Sequence, residues 1–205
     1  MKSCHIVGAG ECKELNIKKK RGDLIVAADG GYLYLEKAGI KPDIAIGDFD
    51  SLSISPECDR IIRLNPVKDI TDMYAAVNVG IDDGFSCFHL YGATGGRIDH
   101  TIANIQLIAS LAQRKMKAFI HDGNAVITAV CNDSLQFSAE HKGYISVFSH
   151  SEKCSGVYLK GLKYPLENAE LTNTFPLGVS NEFIGKKSEI IIGNGTAIVT
   201  FFLTY

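Results

Sequence analysis

The sequence predicts an α/β fold, in which an open, mostly parallel sheet with helices on both faces is followed by a C-terminal all-β sandwich domain. Up to about Asp122, short apolar runs alternate with helical patterns, which is typical of a parallel sheet covered by helices. Beyond Asp122, short strand-like runs separated by turn residues replace the helical patterns. We therefore expect an α/β domain at residues 1–122 and a β-sandwich domain at residues 123–205.

Apolar runs are expected to form the N-terminal sheet at residues 3–7, 24–28, 43–47, 61–64, 86–91 and 118–121. Between them, residues 30–38 fit a helix closed by Gly39, and residues 71–79 fit a helix capped by Thr71. The clearest helix follows Arg97, where apolar residues recur every three or four positions: Ile98, Ile102, Ile105, Ala109 and Ala112. This recurrence predicts that their side chains face the core.

The C-terminal part contains strand-like runs at residues 125–130, 144–148, 156–159, 189–192 and 197–203. Asn194-Gly195 is a strong signal for a hairpin turn before the last run. The nearly continuous apolar run from Ile198 to Leu203 offers more hydrophobic surface than so small a sheet can bury alone. We therefore expect dimerisation through this half of the chain.

Charge, hydropathy and cysteine content exclude several classes of protein. The 21 basic and 23 acidic residues are well mixed, so nucleic acid is not an expected partner. No apolar stretch approaches the ~18 residues of a membrane span, and the run at Cys4–Val7 is too short for a signal-peptide core, so we expect a cytoplasmic protein without a membrane partner. The six cysteines form no CxxC pair, which disfavours zinc and disulfides.

Two carboxylates, Asp48 and Asp50, follow the apolar run that ends at Gly47, where an open α/β sheet normally places its ligand. Strand alternation would point both side chains the same way. Two such charges ~4 Å apart would repel by ~4 kcal/mol at a protein surface, a cost that a divalent cation between them removes. Oxygen ligands alone favour Mg²⁺. A solvated turn is the alternative interpretation of this short pattern.

A second acidic cluster follows the next strand and consists of Lys68, Asp69, Thr71 and Asp72. It is expected at the same edge of the sheet, where Lys68 would reach a phosphate or neutralise its acidic neighbours. Asp69 and Asp72 also suit a purely structural role, because acidic residues near a helix N-terminus interact favourably with the helix dipole.

A glycine-rich turn precedes the clearest helix and includes Gly95 and Gly96. Glycines there let backbone amides approach phosphate oxygens at a helix N-terminus. Arg97 offers a planar fork for a phosphate, while Asp99 and His100 are candidates to hold a metal-bound water, a ribose or a nucleobase. The alternative is a tight turn with a salt bridge between Arg97 and Asp99. No Walker pattern exists in the chain, so a nucleotide site must be of another kind.

Two further glycine features are weaker by themselves. Gly8 and Gly10 follow the first strand, but the dinucleotide-binding fingerprint is incomplete because position 13 is not glycine. Asp29, Gly30 and Gly31 follow the second strand, which puts Asp29 at the same sheet edge as the acidic residues above. Each feature is also typical of a tight strand-to-helix turn.

Taken in order, these motifs resemble the motif set of the thiamine pyrophosphokinases. The matching segments are Ala28-Asp29-Gly30-Gly31, Gly47-Asp48-Phe49-Asp50-Ser51, Asp69-Ile70-Thr71-Asp72, Gly95-Gly96-Arg97-Ile98-Asp99-His100 and, further along, Gly178-Val179-Ser180-Asn181-Glu182. Each segment is short, but five segments in the family's order, spanning most of the chain, argue against a chance resemblance.

The resemblance implies transfer of pyrophosphate from ATP to thiamine, with AMP as the other product, by a homodimer. By motif, Asp48, Asp50 and Asp72 would ligate Mg²⁺ in an ATP-binding catalytic domain. Ser180 and Asn181 would lie near thiamine in a second domain, at the subunit interface. The other motif residues are candidates for binding the substrates: Asp29, Gly30, Gly31, Lys68, Asp69, Thr71, Gly95, Gly96 and His100.

The resemblance also places Arg97 and Asp99 at the phosphate and nucleophile end, where they form the expected catalytic set with Asp72. Asp99 is our candidate to orient or deprotonate the thiamine hydroxyl. The chain departs from the pattern at His100, because eukaryotic members often carry glutamine there.

Two other functions remain open from the residues. A haloacid-dehalogenase-like phosphatase also ends a strand in two aspartates and binds Mg²⁺, and it would use Asp48 as a covalent nucleophile. A non-catalytic nucleotide or thiamine sensor is the second alternative. Three converging carboxylates argue against a sensor, because their repulsion requires a metal that a sensor does not need.

Overall fold

The computed structural model describes residues 2–12, 14–50, 56–65 and 69–203. These residues form a mixed α/β fold that is rich in sheet and has only three helices. Two compact units make up the chain: the first comprises Met1–Leu107 and Ile120–Gly123, and the second comprises Ile108–Phe119 and Asn124–Tyr205. The division at residue 122 that we expected from the sequence stays a prediction.

The first unit is built from parallel strands connected by helices. Its elements are β1 (Cys4–Val7), β2 (Leu24–Ala28), α1 (Gly31–Lys37), β3 (Ile44–Gly47), β4 (Arg60–Arg63), α2 (Asp72–Asp82), β5 (Cys87–Tyr91), and parts of α3 (Ile98–Gln113) and β6 (Lys117–Asp122). The strand order is β5-β1-β2-β3-β4, with every neighbouring pair parallel. The loops that follow β1, β2, β3 and β5 therefore meet at one edge of the sheet.

The predicted helix signals in this unit are confirmed. The Thr71 hydroxyl accepts a hydrogen bond from the backbone N–H of Tyr74 at 3.1 Å, so Thr71 caps α2 as expected. After α1, Gly39 has a φ of +68°, a left-handed conformation that glycine adopts without strain. Thr71 therefore marks where α2 begins, and Gly39 marks where the chain turns after the end of α1.

The predicted core-facing stripe of α3 is wrong in its first half. Ile98 is 77% exposed and Ile102 is 53% exposed. The buried face consists instead of Asn104, Leu107, Ile108, Ala109, Leu111 and Ala112. Helical spacing fits both faces, because a helix with apolar residues on more than one side has no unique stripe. The buried face includes the polar Asn104, whose side-chain amide donates to the Ala93 carbonyl. None of the three described helices is long and apolar enough to cross a membrane.

The second unit contains antiparallel strands: β7 (Ala125–Phe137), β8 (Tyr144–Ser149), β9 (Lys153–Lys160), β10 (Leu166–Thr172), β11 (Gly178–Glu182) and β12 (Ser188–Phe202). Within this unit β12 pairs with β7, β8 and β9, while β10 pairs with β9 and β11 with β8. Buried aliphatic side chains such as Val157, Leu159, Ile190 and Val199 form its core.

The predicted hairpin turn at Asn194-Gly195 is wrong. These residues lie inside β12, where the pairing with β7 shifts register between Ile192 and Thr196. Gly195 has a φ of +112°, and a Cβ there would lie 2.9 Å from the Cys154 sulfur, so the glycine permits a bulge with close packing. Strands β10 and β11 were not predicted, because their sequences show little alternation of apolar and polar residues.

Candidate active site

A cleft of about 420 Å³ lies in the first unit, among the loops that follow β1, β2 and β5 and the first turns of α2 and α3. This size is in the range of small-molecule sites. Seven of the residues predicted for the site line it: Asp29, Thr71, Asp72, Gly95, Gly96, Arg97 and His100. The structure therefore brings together three motifs that are far apart in the sequence.

The base of the cleft consists of two loops joined through their backbones. Hydrogen bonds run from Gly8 N to Tyr91 O at 2.8 Å, from Gly10 N to Gly92 O at 2.9 Å and from Glu11 N to Thr94 O at 2.9 Å. A Cβ on Gly10 would lie 2.5 Å from the Thr94 carbonyl oxygen, so this approach requires glycine. Gly8 and Gly10 were weak signals in the sequence, and only the pairing of β1 with β5 explains them.

The glycine-rich turn before α3 directs a backbone amide to the carboxylate of Glu11. Gly95 and Gly96 have φ angles of +77° and +57°, in the left-handed region that favours glycine. The N–H of Gly96 donates to a carboxylate oxygen of Glu11 at 3.3 Å. A turn of this conformation directs successive N–H groups to one side, which suits phosphate oxygens. Sequence reasoning missed Glu11, because it belongs to no motif.

Arg97 and Asp99 form the salt bridge that was the alternative interpretation of this motif. The guanidinium donates to the Asp99 carboxylate from Nε at 3.2 Å and from Nη2 at 2.5 Å. These hydrogen bonds lower the pKa of Asp99 and raise the pKa of Arg97. Arg97 lines the cleft, whereas Asp99 is exposed and is not among the lining residues.

Asp48 and Asp50 follow β3 in a turn. The prediction that strand alternation continues through Asp50 is wrong, because β3 ends at Gly47 and Phe49 has a φ of +59°. Phe49 is buried in the apolar cluster beside β2 and β3, and the backbone N–H of Asp50 donates to Asp48 Oδ1 at 3.1 Å. Asp48 is half-buried and Asp50 is exposed. Residues 51–55, which follow, lie outside the described residues.

Asp29 stands beside the end of β3. Its backbone N–H donates to the Ile46 carbonyl at 2.8 Å, and a Cβ on Gly47 would lie 3.0 Å from the Asp29 Cα. Gly30 and Gly31 begin α1, where a Cβ on Gly31 would lie 1.9 Å from the Val7 carbonyl oxygen. Glycine at position 31 therefore allows α1 to start directly against β1.

Among the described residues of the second acidic cluster, Thr71 and Asp72 line the cleft. Asp72 is the first residue of α2, next to its cap. Asp69 is exposed and is not among the lining residues, and Lys68 lies outside the described residues.

The donor chemistry of this edge fits Mg²⁺, although its carboxylates are not gathered into a ready-made cage. Among the described residues, no three His, Cys, Asp or Glu side chains lie close enough to hold a metal ion. Mg²⁺ is commonly bound by one or two carboxylates, with waters and substrate phosphates completing its octahedron. Asp29 and Asp72 in the cleft lining meet that smaller requirement, and Asp48 follows the strand beside Asp29.

Ser180 and Asn181 lie in β11 of the second unit. Ser180 is exposed with a φ of +56°, and its N–H donates to the Ser146 hydroxyl at 3.0 Å. Asn181 is buried: its Oδ1 accepts from the Tyr164 N–H at 2.9 Å, and its Nδ2 donates to the Tyr164 carbonyl at 2.6 Å. Asn181 therefore anchors the chain at Tyr164, while Ser180 remains open to a ligand.

Three histidines on neighbouring strands of the first unit form a stack outside the residues that line the cleft. The His5 and His89 ring centroids lie 5.0 Å apart, and His89 Nδ1 lies 2.9 Å from His121 Nε2. Burial lowers the pKa of both His89 and His121 to about 4, so both are neutral at pH 7. Their placement supports a structural role.

Comparison with known proteins assigns both halves of the chain. Residues 18–120 match the family model "Thiamin pyrophosphokinase, catalytic domain", and residues 134–198 match "Thiamin pyrophosphokinase, vitamin B1 binding domain". A thiamine pyrophosphokinase of Bacillus subtilis (strain 168) is 31% identical over 97% of this chain and 98% of the relative.

Solved structures agree in fold. A crystal structure of thiamine pyrophosphokinase from Bacillus subtilis superimposes with a TM-score of 0.88 at 28% identity, and the match covers 100% of both chains. A crystal structure of the Geobacillus thermodenitrificans thiamin pyrophosphokinase gives a TM-score of 0.85 at 29% identity, with 98% of each chain covered.

Proposed function

The chain belongs to the thiamine pyrophosphokinase family, and on that premise we propose how its residues carry out the transfer of pyrophosphate from ATP to thiamine. It is an enzyme of this type, with thiamine diphosphate and AMP as its products. The observation that carries the residue assignment is the convergence of Thr71, Asp72, Gly95, Gly96 and Arg97 on one cleft.

The nucleotide binds in the cleft of the first unit. The amide of Gly95 and the guanidinium of Arg97 supply donors for phosphate oxygens at the start of α3. The amide of Gly96 supplies another where a phosphate oxygen replaces the Glu11 carboxylate that it contacts without a ligand. Asp29, Gly30, Gly31, Thr71 and His100 shape the remainder of the site, and Lys68 and Asp69 stay assigned to it by motif alone. Transfer of this kind depends mainly on positioning and charge neutralisation, which these groups provide without a covalent nucleophile.

We assign Mg²⁺ as the cofactor, which Asp48, Asp50 and Asp72 would hold and which would neutralise charge on the phosphates. The oxygen-only donor set supports this assignment, as does the position of Asp72 in the cleft lining. Asp29 lies beside the end of β3 and adds a fourth carboxylate to the same edge.

Asp99 orients the thiamine hydroxyl or accepts its proton. The support is its contact with Arg97, which lines the cleft. The same contact lowers the pKa of Asp99 and so weakens it as a base, which favours orienting the hydroxyl over accepting its proton.

Residues 1–122 are the catalytic domain. Residues 123–205 are a β-sandwich domain that binds thiamine near Ser180 and Asn181 and through which the protein forms a homodimer. Exposed apolar side chains support an interface here, namely Tyr164, Phe175, Leu177, Val179 and Ile184. We place the protein in the cytoplasm, because all six cysteines are free.

Substrate dependence tests the assignment. The purified protein is incubated with ATP and Mg²⁺, with and without thiamine, and the nucleotides and thiamine esters are separated by chromatography. We expect AMP and thiamine diphosphate only when thiamine and Mg²⁺ are both present. Release of free phosphate from ATP without thiamine would instead indicate a phosphatase, and the absence of any product would indicate a binding protein.

A further inference from the structure

Thr94 lies in the cleft with a hydroxyl group that nothing in the described structure satisfies. The residue is 6% exposed and lines the cleft between Ala93 and Gly95. Its side-chain oxygen is buried and has no hydrogen-bond partner among the residues that the structure describes. The Thr94 backbone is fixed, because its carbonyl accepts from the Glu11 N–H at 2.9 Å.

A buried hydroxyl without a hydrogen-bond partner loses its bonds to water without replacement, which destabilises the folded protein. A ligand that forms a hydrogen bond there removes this cost and is one explanation for such a group. Among the described residues, the other such atom is Ser188 Oγ in the second unit. Another buried threonine of the same chain illustrates the ordinary case. Thr128 donates its hydroxyl proton to the Ala118 carbonyl at 2.8 Å within the second unit. Thr94 and Thr128 are thus both buried and differ in whether the hydroxyl has an internal partner.

The surroundings of Thr94 indicate what its hydroxyl meets. The next residues are Gly95 and Gly96, which turn in the left-handed conformation, and then Arg97. Without a ligand, the Gly96 N–H donates to the Glu11 carboxylate at 3.3 Å, so an anionic oxygen already occupies this donor. Donors clustered in this way favour anionic oxygens, and a hydroxyl donates to such oxygens as well. A threonine side chain needs only rotation about its single χ1 bond to redirect the hydroxyl.

We propose that the Thr94 hydroxyl is a substrate-binding group that donates a hydrogen bond to a phosphate oxygen of the bound nucleotide. This inference rests on the proposed function of the cleft as the nucleotide site. It adds a residue outside the Gly95-to-His100 motif to the phosphate-binding set. Because the hydroxyl has no internal partner, it contributes to the liganded protein and not to the unliganded one.

The test replaces Thr94 with valine, which keeps the shape of the side chain and removes the hydroxyl. Thr94→Ser keeps the hydroxyl and serves as the conservative variant, and Thr128→Val is the matched control for loss of a satisfied hydrogen bond. Thermal unfolding of each full-length variant is measured without ligand and with ATP and Mg²⁺ in the absence of thiamine. Inorganic tripolyphosphate and adenosine are titrated separately.

For Thr94→Val we expect an unliganded melting temperature equal to or above that of the wild type, together with a roughly tenfold or greater loss of affinity for ATP and tripolyphosphate. Thr94→Ser should retain most of the affinity. Thr128→Val should melt lower but keep the wild-type response to ATP.

Three results would overturn the inference: wild-type affinity for ATP in Thr94→Val, destabilisation of unliganded Thr94→Val as large as that of Thr128→Val, or weakened binding of adenosine with unchanged binding of tripolyphosphate. Because these measurements need no turnover, they are independent of the assay for thiamine diphosphate. A wild-type protein that makes no thiamine diphosphate would contradict the proposed function and leave the nucleotide titrations decisive for Thr94.

Discussion

The buried side-chain amide of Asn104 donates a hydrogen bond to the backbone carbonyl of Ala93 at 2.7 Å. Asn104 belongs to the buried face of α3, and Ala93 belongs to the loop that follows β5. Both residues line the cleft. This contact ties the loop to the helix that it precedes, so the glycine-rich turn between them is held at both ends.

Replacing Asn104 by leucine should loosen that loop. The substitution keeps the approximate size of the side chain but leaves the Ala93 carbonyl without its partner. We expect a loss of about 1–3 kcal/mol in the free energy of unfolding and a higher KM for ATP. Chemical denaturation and steady-state kinetics measure the two effects. Gln106→Ala, at an exposed position of the same helix, should change neither, and an unaltered KM in a folded Asn104→Leu protein would argue against the positioning role.

Asp72→Asn distinguishes two roles for Asp72: a metal ligand, or a residue that only stabilises the start of α2. The helix-start role predicts a stability loss of about 0.3–1 kcal/mol and normal activity. Our assignment predicts a folded protein that loses Mg²⁺-dependent turnover by at least 100-fold, since the amide is a poor replacement for a charged oxygen ligand. Asp82→Asn, an exposed residue at the other end of α2, is the matched control and should be fully active. Near-normal turnover of Asp72→Asn at saturating Mg²⁺ would remove Asp72 from the site.

Asp99→Asn tests whether Asp99 orients the thiamine hydroxyl or accepts its proton. General-base groups typically contribute 10²- to 10⁴-fold to the rate, so we expect kcat to fall by about that factor. Stability should change little, because the Asp99 and Arg97 side chains are both exposed. Thiamine-dependent formation of AMP gives the rate. If the folded variant turned over at close to the wild-type rate, Asp99 would be a partner of Arg97 and nothing more.

The histidine stack predicts that stability falls in mild acid. Burial lowers the folded-state pKa of His89 and of His121 to about 4, whereas the value in the unfolded chain is near 6.5. Between those values the unfolded state binds more protons, so stability is full above about pH 6.5 and declines as the pH falls toward 4. We expect the melting temperature to drop by several degrees over this interval.

His121→Phe tests the source of that pH dependence, because phenylalanine keeps an aromatic ring beside Tyr91 without a titrating group. Its melting temperature should vary less between pH 7 and pH 4.5 than that of the wild type. His150→Phe, at an exposed position, should keep the wild-type pH dependence. An identical pH dependence in His121→Phe and the wild type would assign the effect to other groups.

The parts of the fold that could be predicted from the sequence are those with one strong local signal. Buried parallel strands such as Leu24–Ala28 are continuous apolar runs, and Thr71 is an unambiguous cap. The stripe of α3 and the turn at Asn194-Gly195 could not be predicted, because local periodicity and turn propensity allow several outcomes that only tertiary packing decides.

The same limit applies to the candidate site. Asp72 and Arg97 were recognisable because each belongs to a short motif at a predicted sheet edge, although each also had a structural interpretation as a helix-start residue or a salt-bridge partner. Glu11 belongs to no motif and became visible only when the pairing of β1 with β5 brought its loop against the glycine-rich turn. Thr94 lies in the glycine-rich segment of the sequence, but only the structure shows that its hydroxyl is buried without a described partner. For Asn181 the motif suggests a ligand contact, but the structure shows its side-chain amide hydrogen-bonded to the backbone of Tyr164.

In the proposed reaction, pyrophosphate moves as one unit from ATP to thiamine. The measurement is to supply ATP carrying ¹⁸O in the bridge between its β and γ phosphorus atoms and to analyse the products by ³¹P NMR and mass spectrometry. Attack of the thiamine hydroxyl at the β phosphorus leaves that bridge intact. We therefore predict thiamine diphosphate that retains the labelled bridge, with one AMP formed for each molecule. ADP with thiamine monophosphate, or labelled free phosphate, would contradict the account.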